Sequence, residues 1–318
     1  MNLLKPPALK KGDTIGIVAP ASYCPEPSAL VNGQESLEKL GFRTVVGKHV
    51  VDRHGFLAGK DSDRLSDIED MFRNPEIQGI ICLRGGYGSS RFLPQLNYDL
   101  IRANPKVFIG YSDITALHAA IMRHCGLVTF WGPMVSSDMS PSFTPYNRDS
   151  FLRAVTKKVP IGAIDLPDPT IPLQTLNDGA ASGPLIGGTL SLLASSIGTP
   201  YDLDYDGAIL FFEDVGEEPH RIDRMLTQLL HAEKLTRVSG IVIGECAGCG
   251  SASHNPAFPY GNFSIEEVFI ERLCPLGVPI LYGLTIGHGT YTATLPLGVQ
   301  ASIDGKLKSF WINESGVI

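Results

Sequence analysis

The chain has 318 residues, 43% hydrophobic and 19% charged, a globular balance that excludes a disordered chain and, at roughly 150 residues per domain, suggests about two domains. The net charge is −7 and no run of Lys and Arg exceeds two residues, which argues against nucleic acid as a partner. No stretch approaches the ~20 apolar residues of a membrane span, and the apolar run 15–19 ends at Pro20, too short for a signal peptide, so the expectation is a cytoplasmic protein with no membrane partner.

Residues 14–19 read as a buried strand. Leu30, Val31, Leu37 and Leu40 recur at helical spacing, and Gly41 follows as a stop. Residues 42–46 form a second strand. Leu65, Ile68, Met71 and Phe72 mark a helix opened near Asp61 or Ser62. Strands at 79–83 and 107–109 run into the turns Arg84-Gly85-Gly86-Tyr87-Gly88 and Gly110-Tyr111-Ser112-Asp113. A helix over 114–125 stops at Gly126, and a strand at 128–131 follows. This alternation predicts an α/β fold with a parallel sheet. Pro160, Pro167, Pro169 and Pro172 crowd together and predict a linker at 161–176, between an N-terminal domain over 1–160 and a C-terminal domain over 177–318. The second half restarts at 183–188, with strands at 208–212, 240–244, 278–282 and 299–303 and a helix over 221–231.

Ligands of parallel α/β sheets bind beyond the carboxyl ends of the strands, so the strand-end turns are the first places to look for chemistry. Ser112 sits between a buried strand and a helix, where a sharp turn exposes the hydroxyl and the next N–H can face an oxyanion. Ile114 replaces the last glycine of G-x-S-x-G, and an ordinary helix cap would look similar. Gly85-Gly86-Tyr87-Gly88 lacks both the third glycine of a dinucleotide loop and a Walker lysine, which argues against a nucleotide-dependent oxidoreductase. It suits a turn that lends backbone N–H groups to an oxyanion.

A serine nucleophile needs a base, and the base needs an orienting carboxylate. His118, His124, His220 and His231 lie in or beside helical patterns and read as packed or solvent-facing. His288 stands between Gly287 and Gly289 just after a strand, where substrate can approach. Glu213 ends an apolar strand, and Asp214, Glu217 and Glu218 compete with it as the carboxylate. The six cysteines suit reduced, mostly buried positions. Cys246-x-x-Cys249 with His254 lacks the fourth ligand of a structural zinc site, so no metal is expected.

Gly110–Thr115, the 212–217 segment Phe-Glu-Asp-Val-Gly-Glu with Arg221 to Leu226, the 286–289 segment Ile-Gly-His-Gly, the opening 10–22 and the turn at 84–88 together resemble the LD-carboxypeptidase family, in order and across essentially the whole chain. That family comprises muramoyltetrapeptide carboxypeptidases and microcin C immunity peptidases. The resemblance implies a flavodoxin-like N-terminal domain with a parallel sheet, a smaller α/β C-terminal domain, and commonly a homodimer. It implies a serine peptidase in which Ser112 is the nucleophile, His288 the base and acid, and Glu213 the residue orienting His288. The oxyanion hole would be the N–H groups of Asp113 and Gly86. The implied reaction removes terminal D-alanine from a muropeptide tetrapeptide stem in cell-wall recycling, with no cofactor. The alternatives are an immunity-type peptidase acting on aminoacyl-nucleotide conjugates and a non-catalytic binding protein that captures a small acidic peptide. Arg84, Arg221 and Arg224 are candidates for the substrate's terminal carboxylate.

Overall fold

The alternating strands and helices are realised as two separate sheets in a computed structural model, which describes residues 3–140, 143–168, 173–250 and 263–318. Met1–Ile161, Ala293–Val299 and Glu314–Ile318 form one unit, and Gly162–Thr292 with Gln300–Asn313 form the other.

In unit 1, β1 (Thr14–Val18), β2 (Arg43–Val46), β3 (Gly79–Cys82), β4 (Val107–Gly110) and β5 (Phe130–Trp131) are parallel and lie in the order β2-β1-β3-β4-β5. This is the doubly wound flavodoxin-like order, whose binding crevice lies at the carboxyl ends of the strands, where the order reverses between β1 and β3. Every residue of β1, β3 and β4 is buried, as expected of strands covered on both faces. The edge strand β2 is half exposed.

Helices α1 (Pro27–Lys39), α2 (Asp61–Arg73), α3 (Tyr98–Ala103), α4 (Thr115–Cys125) and α5 (Pro145–Thr156) complete the unit. The apolar face of α1 uses Ala29, Leu30 and Leu37, whereas Val31, expected on that face, is 54% exposed. Helix α4 ends on Gly126 at φ 65, as its sequence suggests. Helices α3 and α5 escape the hydrophobic pattern. The cue for α5 is its cap, where Thr144 accepts from the Asn147 N–H and Pro145 fills the first turn.

In unit 2, β6 (Gly162–Ala163), β7 (Gln174–Asn177), β8 (Ala180–Thr189), β9 (Ile209–Glu213), β10 (Gly240–Glu245) and β11 (Ile280–Gly287) are accompanied by α6 (Leu190–Ser196), α7 (Pro219–His231) and α8 (Ile265–Leu273). The chain then contributes β12 (Leu295–Pro296) to unit 1, antiparallel on β5, and returns with β13 (Gln300–Asp304) and β14 (Ser309–Ile312). The unit 2 order is β6-β14-β13-β8-β9-β10-β11-β7, with β8 to β11 parallel and the outer pairings antiparallel.

Two expectations about domain boundaries are corrected. The proline-rich stretch expected as a linker at 161–176 supplies β6 and begins β7, the two outermost strands of the unit 2 sheet. Edge strands leave half their backbone groups unpaired and tolerate nearby proline, so their sequence reads like a connection. Residues 169–172, with Pro169 and Pro172, lie outside the described residues. The C-terminal stretch 177–318 is likewise not one unit, since 293–299 and 314–318 belong with unit 1.

His118 ties α4 to the sheet. It is 1% exposed, its Nε2 lies 2.8 Å from the Gly110 carbonyl, and its Nδ1 lies 2.8 Å from Thr129 Oγ1. A carbonyl can only accept, so Nε2 carries the proton and Nδ1 accepts from the hydroxyl. Burial pushes its pKa down from 6.5 to about 4. The folded histidine therefore stays neutral between these values while the unfolded one is protonated, and stability falls as pH drops through that window. At about 1.4 kcal/mol per pH unit, the acid loss from this group is about 3 kcal/mol. His118→Gln, which keeps an N–H donor for Gly110, should remove this contribution. Melting curves from pH 7 to 4 test it: the stability gap between wild type and variant must change across the window, and a constant gap refutes the assignment.

Candidate active site

The unit 1 cluster forms where β1, β3 and β4 end. Ser112 follows β4 by two residues and holds φ +62, a left-handed conformation that costs a non-glycine residue of order 1–3 kcal/mol. It stands partly exposed between the buried Tyr111 and Asp113. The turn after β3 presses on it: a Cβ on Gly85 would lie 2.8 Å from Ser112 Cβ and 3.4 Å from the Asp113 nitrogen, so only glycine lets the two backbones approach this closely.

Three contacts hold these turns together. Asp113, 1% exposed, accepts the Ser89 N–H at 2.8 Å, while Ser89 Oγ donates to the Asp113 carbonyl at 2.6 Å. Ser22, after β1, donates its N–H to the Gly85 carbonyl at 3.3 Å and accepts the Tyr87 N–H on its hydroxyl at 3.1 Å, bracketing Gly86. The buried Arg64 of α2 donates to the carbonyls of Pro20 and Gly88 and pairs with Asp61. The turns carrying Ser112, Asp113 and Gly86, all expected at the site, are thus cross-linked within one unit.

The unit 2 cluster forms where β8, β9, β10 and β11 end. Glu213 is the last residue of β9 and has no exposed surface. His288 Nδ1 lies 2.7 Å from Glu213 Oε2, and Thr189 Oγ1 donates to Oε1 at 2.8 Å. Strand β11 runs on to Gly287, well past the expected end at 282, and delivers His288 directly. Gly287 holds φ +116, and a Cβ there would lie 2.5 Å from Glu213 Oε2. At Gly289 a side chain would overlap the carboxylate of Glu245, the half-buried end of β10, whose carboxyl is pushed up by burial. The two glycines flanking His288 are therefore the gaps through which two carboxylates reach its backbone.

The competing acids face elsewhere. Asp214 accepts the N–H groups of Ser191 and Val215 at 2.8 and 2.9 Å, capping the start of α6, and burial pushes its carboxyl up. Glu217 pairs loosely with Arg221 at 3.8 Å, and Glu218 lies 3.2 Å from His220 Nδ1. Among the candidate cations, Arg84 donates to the Tyr23 carbonyl at 3.2 Å, and Arg221 and Arg224 are exposed. His254, weighed with Cys246 and Cys249 as a zinc ligand, lies outside the described residues. Among the described residues, His49, Asp52 and Asp63 bring ligand atoms together. Their contacts there are already structural, with His49 2.8 Å from Asp52 and Asp63 accepting the Lys60 N–H at the start of α2.

Thr189, Ser89 and Arg64 do not stand out in the sequence. Thr189 and Ser89 act through partners 24 residues away. Arg64 had one signal, a basic residue set among the apolar positions of α2.

Comparison with known proteins places these clusters in context. The LD-carboxypeptidase N-terminal domain matches residues 15–132, and the LD-carboxypeptidase C-terminal domain matches residues 182–303. A probable murein peptide carboxypeptidase of Bacillus subtilis is 40% identical over 314 residues, covering 98% of this chain and 95% of that protein. Among solved structures, the microcin C7 self-immunity protein MccF superposes with a TM-score of 0.88 at 30% identity, covering 99% of this chain and all of that one, and it has also been solved with aspartyl sulfamoyl adenosine. The muramoyltetrapeptide carboxypeptidase of Oxalobacter formigenes superposes with a TM-score of 0.81 at 29% identity, covering 95% and 98% of the two chains. With both domains matched in order around the two clusters, and with 40% identity along almost its full length, the chain belongs to the LD-carboxypeptidase family of peptidases.

Proposed function

We propose that this chain is a serine-type LD-carboxypeptidase that removes the terminal D-alanine from muropeptide tetrapeptide stems, working as a cytoplasmic homodimer in cell-wall recycling. The observation that carries the reading is the Glu213–His288 pair. A carboxylate can only accept here, so Nδ1 holds the proton and the basic lone pair belongs to Nε2. A buried acid that fixes the tautomer of a histidine in this way is the orienting half of a serine triad. The strained turn at Ser112 supports the other half.

In this mechanism Nε2 of His288 takes the Ser112 proton as Oγ attacks the carbonyl of the penultimate residue. The N–H groups of Asp113 and Gly86 stabilise the oxyanion. His288 then protonates the departing amine of D-alanine, and water, activated by the same histidine, hydrolyses the acyl-enzyme. None of these steps calls for a metal or an organic cofactor.

The B. subtilis relative, named for murein peptides, supports this substrate class. A second reading, cleavage of aminoacyl-nucleotide conjugates, is favoured by the higher TM-score to MccF, 0.88 against 0.81. Incubating the chain with free tetrapeptide and with aspartyl sulfamoyl adenosine, each followed by mass spectrometry, separates the two. We expect loss of one alanine from the tetrapeptide at a rate at least about tenfold above any cleavage of the nucleotide conjugate, the equivalent of 1.4 kcal/mol in transition-state binding. The reverse preference transfers the chain to the second reading.

Replacing Ser112 tests the nucleophile and the strain together. Ser112→Ala and Ser112→Gly should each lower kcat by about 10⁴–10⁶, while Ser112→Gly should be about 1 kcal/mol more stable than Ser112→Ala because glycine accepts φ +62. Residual turnover near the wild-type rate in either variant rules Ser112 out as nucleophile.

Glu213→Gln should lower kcat by about 10³–10⁴, since the amide can present an N–H₂ to Nδ1 and disturb the tautomer. The amide variants of Asp214, Glu217 and Glu218 should retain most of the activity. The assignment fails if Glu213→Gln stays active while one of the other three is lost.

A further inference from the structure

Cys246 and Cys249 take no part in the proposed chemistry, yet their surroundings are specific. The Cys249 N–H donates to the Cys246 carbonyl at 3.0 Å, closing Cys-x-x-Cys into a tight turn directly after β10. Both thiols are free, and this turn holds them three residues apart on one tight loop. The turn also packs on the segment that follows Glu213. Gly216 N–H donates to the Ala247 carbonyl at 2.9 Å, Glu217 N–H donates to Cys249 Sγ at 3.3 Å, and Gly250 N–H donates to the Glu217 carbonyl at 3.3 Å.

We infer that Cys246 and Cys249 are a thiol–disulfide exchange site, oxidised to an intramolecular disulfide by low-molecular-weight disulfides and reduced again by small thiols. The inference stands apart from the peptidase reading, because it concerns the sulfurs and their own turn. The two cysteines are not equivalent. The hydrogen bond from Cys246, with a further one from the Glu217 N–H, holds the Cys249 thiol below its ordinary pKa. The same Cys246–Cys249 hydrogen bond, together with burial, pushes Cys246 well up. The Glu217 N–H that donates to Cys249 Sγ at 3.3 Å favours a thiolate there, so Cys249 is the attacking sulfur, because the thiolate is the nucleophile in exchange.

In the first step Cys249 thiolate attacks one sulfur of the small disulfide, forming a mixed disulfide and releasing one small thiolate. Cys246 gives up its proton, attacks Cys249 Sγ, breaks the mixed disulfide and releases the second small thiol. Two protein thiols are oxidised and one small disulfide is reduced to two thiols, so atoms and electrons balance. The product sets the sulfur–sulfur separation at about 2 Å, beside the backbone of Glu217. The bond is thereby formed against the turn at Gly216 and Glu217.

The test uses the reduced full-length chain and glutathione disulfide, followed by alkylation, trypsin digestion and mass spectrometry. The tryptic peptide 238–272 contains these two cysteines and no others. Wild type should yield this peptide unalkylated, lighter than the dithiol form by two hydrogens, and dithiothreitol should restore both thiols. Cys246→Ser should trap a glutathione adduct on Cys249, and Cys249→Ser should leave Cys246 alkylatable. Overturning results are a wild-type peptide alkylated at both positions, a stable glutathione adduct in wild type without the internal bond, or thiols that react only after zinc has been stripped by a chelator. The wild-type digest decides the matter even if a serine variant fails to fold.

Discussion

The carboxylate of Glu213 has no contact with solvent, and much of unit 2 is arranged around that fact. An ionised carboxylate taken out of water loses several kcal/mol of hydration unless hydrogen bonds and an opposite charge replace it. Here one oxygen receives the Thr189 hydroxyl and the other meets His288 Nδ1. Both partners come from strand ends of the same sheet, Thr189 from the adjacent β8, where it pairs with Glu213 in the ladder itself, and His288 from just past β11, two strands away. Reaching them leaves no space for side chains nearby. A Cβ at Gly244 would lie 3.0 Å from Glu213 Cβ, and one at Gly287 would meet its carboxylate. A single buried carboxylate thus accounts for a hydroxyl, a histidine and the glycine at 287.

Unit 1 solves a different problem with similar means. Its candidate reactive group is a hydroxyl, and what must be held is the backbone. The left-handed conformation at Ser112 is unfavourable on its own, and it persists because the flanking groups are tied down. His118 anchors the Gly110 carbonyl two residues before it, and Asp113 and Ser89 bond reciprocally just after it. Gly85 admits Ser112 at a separation that any side chain would forbid. In both units the polar groups sit at the carboxyl ends of parallel strands, where the ladder ends and N–H groups and side chains converge on one rim.

The family's two named activities share this framework. A murein peptide carboxypeptidase and a microcin immunity protein both resemble the chain over nearly its full length. A shared fold supplies a common framework, whereas discrimination between substrates depends on side chains that contact the parts of the substrate away from the scissile bond. That is why the likeness settles the family and leaves the substrate to direct comparison of the two reactions.

The central strands of both units, α2, α4 and α7, and the candidates Ser112, Glu213 and His288 were legible in the sequence, because buried parallel strands read as unbroken apolar runs and the candidate residues sit where those runs stop. The end of an apolar strand and the family resemblance favoured Glu213 over Asp214, Glu217 and Glu218, with its partner unseen. The tertiary structure supplied the contacts, directing Glu213 to His288 across 75 residues of chain and Asp214 to the start of α6. Tertiary structure also turned an apparent linker into two edge strands, exposed Val31, and returned 293–299 and 314–318 to unit 1. Thr189, Ser89 and Arg64 gained their roles in the same way, since each supports a group remote in sequence. Local pattern encodes burial and turn chemistry because these depend on neighbours along the chain, while the partner of a buried charge is chosen by strand register and loop closure, which no local window contains.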